Sequence, residues 1–202
     1  LQAMDLSIDD WGGPNFENCS ENLLYTRPDA VEKVHTSFLD IGCDVIETNS
    51  FGGSEVVLTE FGIADKTYDV NKRAASLAKR LANDYTTHDH PRFVAGSIGP
   101  GTKLPTLGHI TYRDLKNAYR EQVRGLVDGG SDVLIVETCQ DLLQTKAALA
   151  AIFDHFAKTR SRIPVIAQVT IEVFGTMLNG TEIGAALTAL EPFPIDVIGM
   201  NC

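Results

Sequence analysis

The alternation of short apolar segments with longer amphipathic ones is the feature that most constrains this fold. Five segments rich in β-branched residues begin at residues 44, 93, 132, 164 and 196, and three of them open on the same Asp-Val pair. Apolar runs without polar alternation are typical of strands covered on both faces. Between them, apolar residues recur every three to four positions, which predicts helices. Repeated strand and helix units predict a parallel α/β sheet.

Five helices are predicted from this periodicity and from the residues at their ends. They cover residues 28–41, about 65–83, a segment after Thr111, a segment from Asp141, and 181–191. Pro28 suits a first helical position. Thr111 with Asp114, and Asp141 with Gln144, have the spacing of capping boxes. The predicted helices therefore separate all five predicted strands.

Five parallel strands fit either a complete doubly wound sheet or part of an eight-unit barrel. Each predicted strand ends in polar or reactive residues, and in a barrel all these ends meet at one rim. We therefore expect a (β/α)8 TIM barrel, present here as a fragment with roughly strands 2 to 6 and their helices. The expected domain is residues 1–202, truncated at both ends and without a second domain. A non-catalytic, doubly wound binding domain is the alternative.

Composition excludes several classes of function. The formal net charge is −10 and the isoelectric point is about 4.9. A negative net charge and an acidic isoelectric point disfavour binding to nucleic acid or to an anionic membrane. The apolar runs are far shorter than a bilayer span requires. Four cysteines without a C-x-x-C pair indicate reduced thiols and a cytoplasmic protein.

The strand ends supply the candidate site residues. Burying a carboxylate at the end of a strand lowers the stability of the fold unless the carboxylate contacts a cation or several hydrogen-bond donors. Glu137 and Glu47 therefore indicate recognition of an ammonium group or acid-base chemistry, although acceptance of backbone N–H groups is the structural alternative. Thr48, Asn49 and Ser97 can supply neutral hydrogen bonds, but such residues also shape turns.

Cys202 follows Asn201 at the end of the last predicted strand. Its thiol suits a ligand site, but a free cysteine is often simply a small buried apolar residue. One cysteine cannot form a catalytic zinc site, which takes three protein ligands, so partners would lie beyond residue 202. The glycine-rich segment 96–101 lacks a phosphate-loop pattern, and Pro100 removes one donor. A phosphate-handling or lyase barrel stays open as an alternative.

Four motifs occur in order along the sequence: Gly42–Gly53, Val94–Pro100, Asp132–Thr138 and Gly199–Cys202. Together they resemble the homocysteine S-methyltransferase family, and most closely the N-terminal homocysteine-binding module of its cobalamin-dependent members. The resemblance spans essentially the whole sequence, and Leu1–Met4 is similar to the continuation of the opening motif of the family. This resemblance implies a (β/α)8 barrel that binds zinc through three cysteines. Cys202 matches the first of them, and the adjacent downstream pair is absent from this sequence.

The resemblance also implies roles for single residues. It implies that Cys202 binds zinc and that Glu137 binds the amino group of the substrate. The residues implied to line the homocysteine pocket are Thr48, Asn49, Phe51, Ser97 and Asn201. No catalytic side chain is expected, because the zinc-activated thiolate of homocysteine is the nucleophile. The implied methyl donor is methylcobalamin, recharged from methyltetrahydrofolate, on cobalamin and folate modules of the same polypeptide. S-methylmethionine and betaine are alternative donors. We expect this fragment alone to be inactive.

Overall fold

The computed structural model describes residue 1 and residues 4–202. Gln2 and Ala3, which belong to the predicted opening segment, lie outside the described residues. Each described strand overlaps the segment predicted for it. The strands are β1 (Val45–Glu47), β2 (Phe93–Ile98), β3 (Val133–Cys139), β4 (Val165–Thr170) and β5 (Val197–Asn201).

These strands form one parallel sheet in the order β1-β2-β3-β4-β5. Each new strand is added beside the previous one, and the order never reverses. A doubly wound sheet has a reversal at its switch point, whereas a barrel adds its strands in sequence order. The topology therefore favours the barrel over the doubly wound alternative.

The helices confirm the predicted alternation. They are α1 (Ile8–Trp11), α2 (Leu23–Thr26), α3 (Pro28–Asp40), α4 (Glu55–Glu60), α5 (Thr67–Tyr85), α6 (Tyr112–Asp128), α7 (Leu142–Thr159) and α8 (Ile183–Leu190). The five predicted helices correspond to α3, α5, α6, α7 and α8. The short helices α1, α2 and α4 were not predicted, because four to six residues show too little periodicity. None of the described helices is long and apolar enough to cross a bilayer.

The predicted helix caps are largely confirmed. The Thr111 hydroxyl accepts the Asp114 N–H at 3.1 Å and donates to the Asp114 carboxylate at 2.7 Å. Asp141 caps α7 by accepting the Leu143 N–H at 2.7 Å. Gln144 differs from the prediction, since its side chain donates to the Lys103 carbonyl at 2.9 Å instead of completing a capping box. The local sequence pattern thus predicts where α6 and α7 begin, but it does not predict the hydrogen-bond partner of Gln144.

One face of the sheet is covered by helices. Alternate strand residues, including Ile46, Val94 and Leu134, are buried in apolar clusters with residues of α3, α5, α6 and α7. On the opposite face, Val45 and Phe93 are partly exposed. Helices on a single face are expected for a barrel, in which the other face is the interior.

Aspartates stabilise the amino ends of the strands. The Asp132 carboxylate, just before β3, accepts the Val94 N–H of β2 at 2.8 Å. It also forms an ion pair with Lys79 of α5 at 2.7 Å. This arrangement joins two neighbouring strands and one helix through a single side chain.

The same arrangement recurs at β5. Asp196 accepts the Val165 N–H of β4 at 2.8 Å and pairs with Arg162 at 2.7 Å. Asp44, before β1, contacts the His90 imidazole at 2.6 Å. We call Asp44, Asp132 and Asp196 the strand-start aspartates. The repeated Asp-Val pair of the sequence therefore has a structural explanation, with a charged or ionisable partner for each carboxylate.

Candidate functional site

Glu137 lies at the carboxyl end of β3 and is only 9% exposed. Its Oε1 accepts the Ser97 hydroxyl at 2.6 Å, and its Oε2 lies 3.4 Å from the Asn201 amide nitrogen. No ion pair to Glu137 occurs among residues 1 and 4–202. A carboxylate has about four acceptor positions, so Glu137 keeps free capacity for a cationic ligand.

Thr138 and Asn201 form a two-bond contact beside this carboxylate. The Asn201 side-chain oxygen accepts the Thr138 N–H at 3.0 Å, and its amide nitrogen donates to the Thr138 hydroxyl at 3.0 Å. Thr138 has a φ of 59°, which is unfavourable for a β-branched residue. The register between β3 and β4 also shifts between Val136 and Cys139. Such irregularities cluster at functional sites, and here the contact joins the ends of β3 and β5.

Thr48 is buried and holds the ends of β1 and β2 together. Its hydroxyl accepts the Ser97 N–H at 2.9 Å and lies 2.6 Å from the Ser50 hydroxyl, which donates to the Ser97 carbonyl at 2.8 Å. The predicted residues Thr48, Ser97, Glu137 and Asn201 are therefore connected by hydrogen bonds. We call these four residues together with Thr138 the strand-end cluster.

Asn49 and Phe51 lie on the loop that follows β1. The Asn49 amide donates to the Ser20 carbonyl at 2.7 Å, so this side chain is engaged by the N-terminal segment. Phe51 has a half-exposed ring, and its carbonyl accepts the Gly99 N–H at 3.1 Å. Both residues thus border the strand-end cluster without a direct hydrogen bond to it.

Glu47 adds a second carboxylate at this end of the sheet. Partial desolvation and the negative charge of Glu137 raise the pKa of Glu47 above its usual value. Glu137 is therefore close enough to Glu47 to act on it electrostatically. Among residue 1 and residues 4–202 neither carboxylate forms an ion pair, and such a pair of carboxylates suits a ligand that carries an ammonium group.

Cys202 directly follows the strand-end cluster in sequence. It lies at the carboxyl end of β5, the same end of the sheet as Glu137 at the end of β3.

Comparisons with known proteins identify the family. The homocysteine S-methyltransferase family matches residues 1–202. The chain belongs to this family. It is 49% identical to a methionine synthase of Mycobacterium leprae and 48% identical to one of Mycobacterium tuberculosis, each over all 202 residues. The chain spans 17% of the length of each of these relatives.

Solved structures give the fold of the family. The chain superposes on the oxidized form of the homocysteine methyltransferase MmuM from Escherichia coli with a TM-score of 0.81. This match covers 100% of the chain and 68% of that protein at 19% identity. The metallated form gives a TM-score of 0.78 at 20% identity over 91% of the chain. The predicted TIM-barrel fold, present as a partial barrel, is therefore confirmed.

The homocysteine S-methyltransferase resemblance implies zinc, and the described residues meet that requirement only in part. Within residue 1 and residues 4–202, no three His, Cys, Asp or Glu side chains are grouped so that they could hold a metal ion. Catalytic zinc takes three protein ligands. Cys202 places one thiol at the carboxyl end of the sheet, and two further donors are needed to complete such a site.

The glycine-rich segment 96–101 does not form a phosphate cradle. The Gly99 N–H is bound to the Phe51 carbonyl, and the Tyr119 hydroxyl donates to the carbonyls of Gly99 and Pro100 at 3.1 and 2.9 Å. A phosphate loop offers several free backbone N–H groups. The phosphate-handling alternative therefore lacks structural support in this family member.

Sequence reasoning missed two residues that shape the site. Ser50 is fully buried between Thr48 and Ser97, and Glu21 binds the backbone of the loop after β1. The position of Ser50, next to the predicted pocket residues Thr48 and Asn49, could have indicated its role. No local pattern indicates the role of Glu21, because its partner Gly52 lies 31 residues away in the sequence.

Proposed function

We propose that the chain is the homocysteine-binding module, over residues 1–202, of a methionine synthase-type enzyme. Such an enzyme transfers a methyl group to homocysteine and releases methionine. The observation that carries the proposal is Glu137, a buried carboxylate whose described partners are the neutral side chains Ser97 and Asn201. Membership of the homocysteine S-methyltransferase family supports the same substrate.

In this proposal the strand-end cluster binds the amino acid part of homocysteine. Glu137 accepts hydrogen bonds from the substrate ammonium group, and Ser97 fixes the orientation of the Glu137 carboxylate. Hydrogen bonds to an ionised group are stronger than neutral ones. Asn201 holds both Glu137 and Thr138, so the carboxylate is oriented before the substrate arrives. Asn49 and Phe51 border the pocket, and Thr48 keeps β1 and β2 in register.

Cys202 is proposed as one thiolate ligand of zinc. It directly follows Asn201, which contacts both Glu137 and Thr138, so it lies at the same end of the sheet as the strand-end cluster. A bound zinc ion would lower the pKa of the homocysteine thiol, which otherwise resembles that of a free cysteine at about 8.5. The substrate sulfur then forms a bond to the methyl carbon while the bond between that carbon and the donor breaks. The remaining zinc ligands would come from residues outside 1–202.

The proposed methyl donor is methylcobalamin, recharged by methyltetrahydrofolate on other modules of the same polypeptide. The two mycobacterial relatives are methionine synthases that are about six times longer than the chain, which leaves room for such modules. S-methylmethionine or betaine would replace cobalamin if those modules were absent. Four free cysteines fit a cytoplasmic location.

Zinc analysis of the full-length protein tests this proposal. We expect one zinc per polypeptide in the wild type and its loss in Cys202→Ala, together with loss of methionine formation. Cys43→Ala is the matched control, because Cys43 is also a free cysteine but lies before β1. Unchanged zinc content in Cys202→Ala would contradict the proposed ligand, and a wild type that forms no methionine from homocysteine would contradict the reaction.

A further inference from the structure

A second buried carboxylate, Glu21, lies against the loop that follows β1. Glu21 belongs to a 3₁₀ turn at Ser20–Asn22 and is 4% exposed. Its Oε1 accepts the Gly52 N–H at 2.7 Å, and its Oε2 accepts the Ser20 hydroxyl at 3.2 Å. In the part of the chain that the structure describes, Glu21 forms no ion pair.

The loop at residues 49–53 is shaped to receive this carboxylate. A Cβ atom on Gly52 would lie 3.0 Å from Oε1 and 3.2 Å from Cδ of Glu21, so glycine permits the close approach. The adjoining Ser20 carbonyl accepts the Asn49 amide at 2.7 Å. The same turn of the N-terminal segment therefore holds the loop at two points, on either side of Phe51.

Other side chains that hold this loop are neutral. Gln122 donates to the Ser50 carbonyl at 2.9 Å, and Asn71 donates to the Gly53 carbonyl at 2.7 Å. Glu21 differs from them because its side chain can ionise. Burial raises the pKa of Glu21 above its usual value, which means that the ionised form lowers the stability of the folded protein. An ionised acceptor in return forms hydrogen bonds roughly twice as strong as a neutral one.

We propose that Glu21 is a positioning residue for the binding of homocysteine. Through the Gly52 amide and the Ser20 turn, it fixes the 49–53 loop so that Asn49 and Phe51 keep their places at the edge of the strand-end cluster. Glu21 itself does not touch the substrate. This inference rests on the proposed function, because the loop contributes to affinity only if the pocket binds homocysteine.

The test compares Glu21→Ala, Glu21→Gln and Glu17→Ala in the full-length protein. Glu17 is an exposed carboxylate of the same segment and serves as the matched control. We expect Glu21→Ala to raise KM for homocysteine about tenfold and to change kcat by less than about twofold. Hydrogen exchange of peptides that cover residues 48–53 should become faster. Glu21→Gln keeps an oxygen acceptor for Gly52 and should stay within about threefold of the wild-type KM. Glu17→Ala should change neither quantity.

Gly52→Ala provides a second route if Glu21→Ala does not fold. The added Cβ would lie 3.0 Å from Oε1 and crowd the carboxylate without removing it, and we expect a rise in KM smaller than that of Glu21→Ala. The inference is overturned if Glu21→Ala or Gly52→Ala leaves KM unchanged in an active protein, or if Glu21→Gln is as impaired as Glu21→Ala. A wild type that neither binds nor methylates homocysteine would instead contradict the proposed function, and the exchange rates would still report whether Glu21 holds the loop.

Discussion

The two ends of the sheet use carboxylates in opposite ways. At the amino ends, the strand-start aspartates meet basic side chains, as in the Asp132 pair with Lys79 and the Asp196 pair with Arg162. At the carboxyl ends, Glu137 and Glu47 form no ion pair among the described residues. In barrels the carboxyl ends carry the active site and the opposite ends contribute stability.

The difference separates a stabilising role from a binding role. A paired and hydrogen-bonded aspartate satisfies a backbone N–H and a lysine at the same time, so its removal affects folding. A buried carboxylate whose hydrogen-bond partners are neutral contributes less to folding, because no positive charge among the described residues compensates its desolvation. Its negative charge is available to a ligand. Substitutions at the two ends should therefore affect different measurements.

The largest expected effect is that of Glu137→Gln on substrate binding. The amide keeps the size of the side chain but removes the charge that pairs with the ammonium group. We expect the dissociation constant for homocysteine to rise by about 30- to 150-fold, since a hydrogen bond to a charged group contributes about 2 to 3 kcal/mol. Titration calorimetry of the full-length protein measures this change, and zinc content should not change. Equal affinity in the two proteins would contradict the assigned role.

Asp132→Ala should have the opposite pattern. The substitution leaves the buried Val94 N–H without its side-chain acceptor and removes the ion pair with Lys79. We expect a local destabilisation of about 2 kcal/mol. Faster hydrogen exchange in peptides covering β2 would report it, with homocysteine affinity within about twofold of the wild type. Asp89→Ala, at an exposed turn, is the control. A loss of affinity as large as that of Glu137→Gln would break the distinction between the two ends.

Ser97→Ala should produce a smaller loss of affinity. It removes the hydroxyl that donates to Glu137 at 2.6 Å but leaves the carboxylate in place. A loss of about 1 kcal/mol, or roughly fivefold in the dissociation constant, is expected for one side-chain hydrogen bond. Combining Ser97→Ala with Glu137→Gln should add little further loss, because both changes act on the same contact. Fully additive effects would indicate that Ser97 binds the substrate independently of Glu137.

The smallest effect concerns the pH dependence of stability through Glu21. Its pKa is raised in the folded protein by burial, so the folded state holds the proton more tightly than the unfolded state. The resulting contribution to stability is complete below the ordinary carboxyl pKa of about 4.5 and decreases as the pH rises through the raised value. Glu21→Gln removes this slope. The melting temperature of Glu21→Gln relative to wild type should therefore increase with pH above about 4.5. A constant difference across this range would contradict a raised pKa for Glu21.

The strands, the main helices and the strand-end residues could be predicted from the sequence because each depends on a local pattern. Apolar runs predicted the starts of β1 to β5 to within one residue, and the end of such a run placed Glu137 at the carboxyl end of β3. Thr111 and Asp141 fixed the starts of α6 and α7. These features depend on neighbours within a few residues, which a single sequence displays.

Contacts between distant segments could not be predicted in this way. The Asn49 amide donates to the Ser20 carbonyl, 29 residues earlier, and no local pattern indicates this contact. The Glu21 contact with Gly52 and the Thr138 contact with Asn201 likewise depend on the packing of separate loops. Thr138 has a left-handed backbone conformation, which β-branched residues disfavour, and its contact with Asn201 holds it there. Side-chain partners at a rim are therefore a property of the assembled fold.

The most direct test of the central claim is a comparison of homocysteine with 4-sulfanylbutanoate, the same thiol acid without the amino group. Calorimetry on the full-length wild type and on Glu137→Gln gives four dissociation constants. We predict that the wild type prefers homocysteine by about 30-fold or more and that Glu137→Gln loses this preference while binding the analogue as the wild type does. Equal affinity of the wild type for the two thiols, or a preference that persists in Glu137→Gln, would contradict the claim that Glu137 recognises the ammonium group.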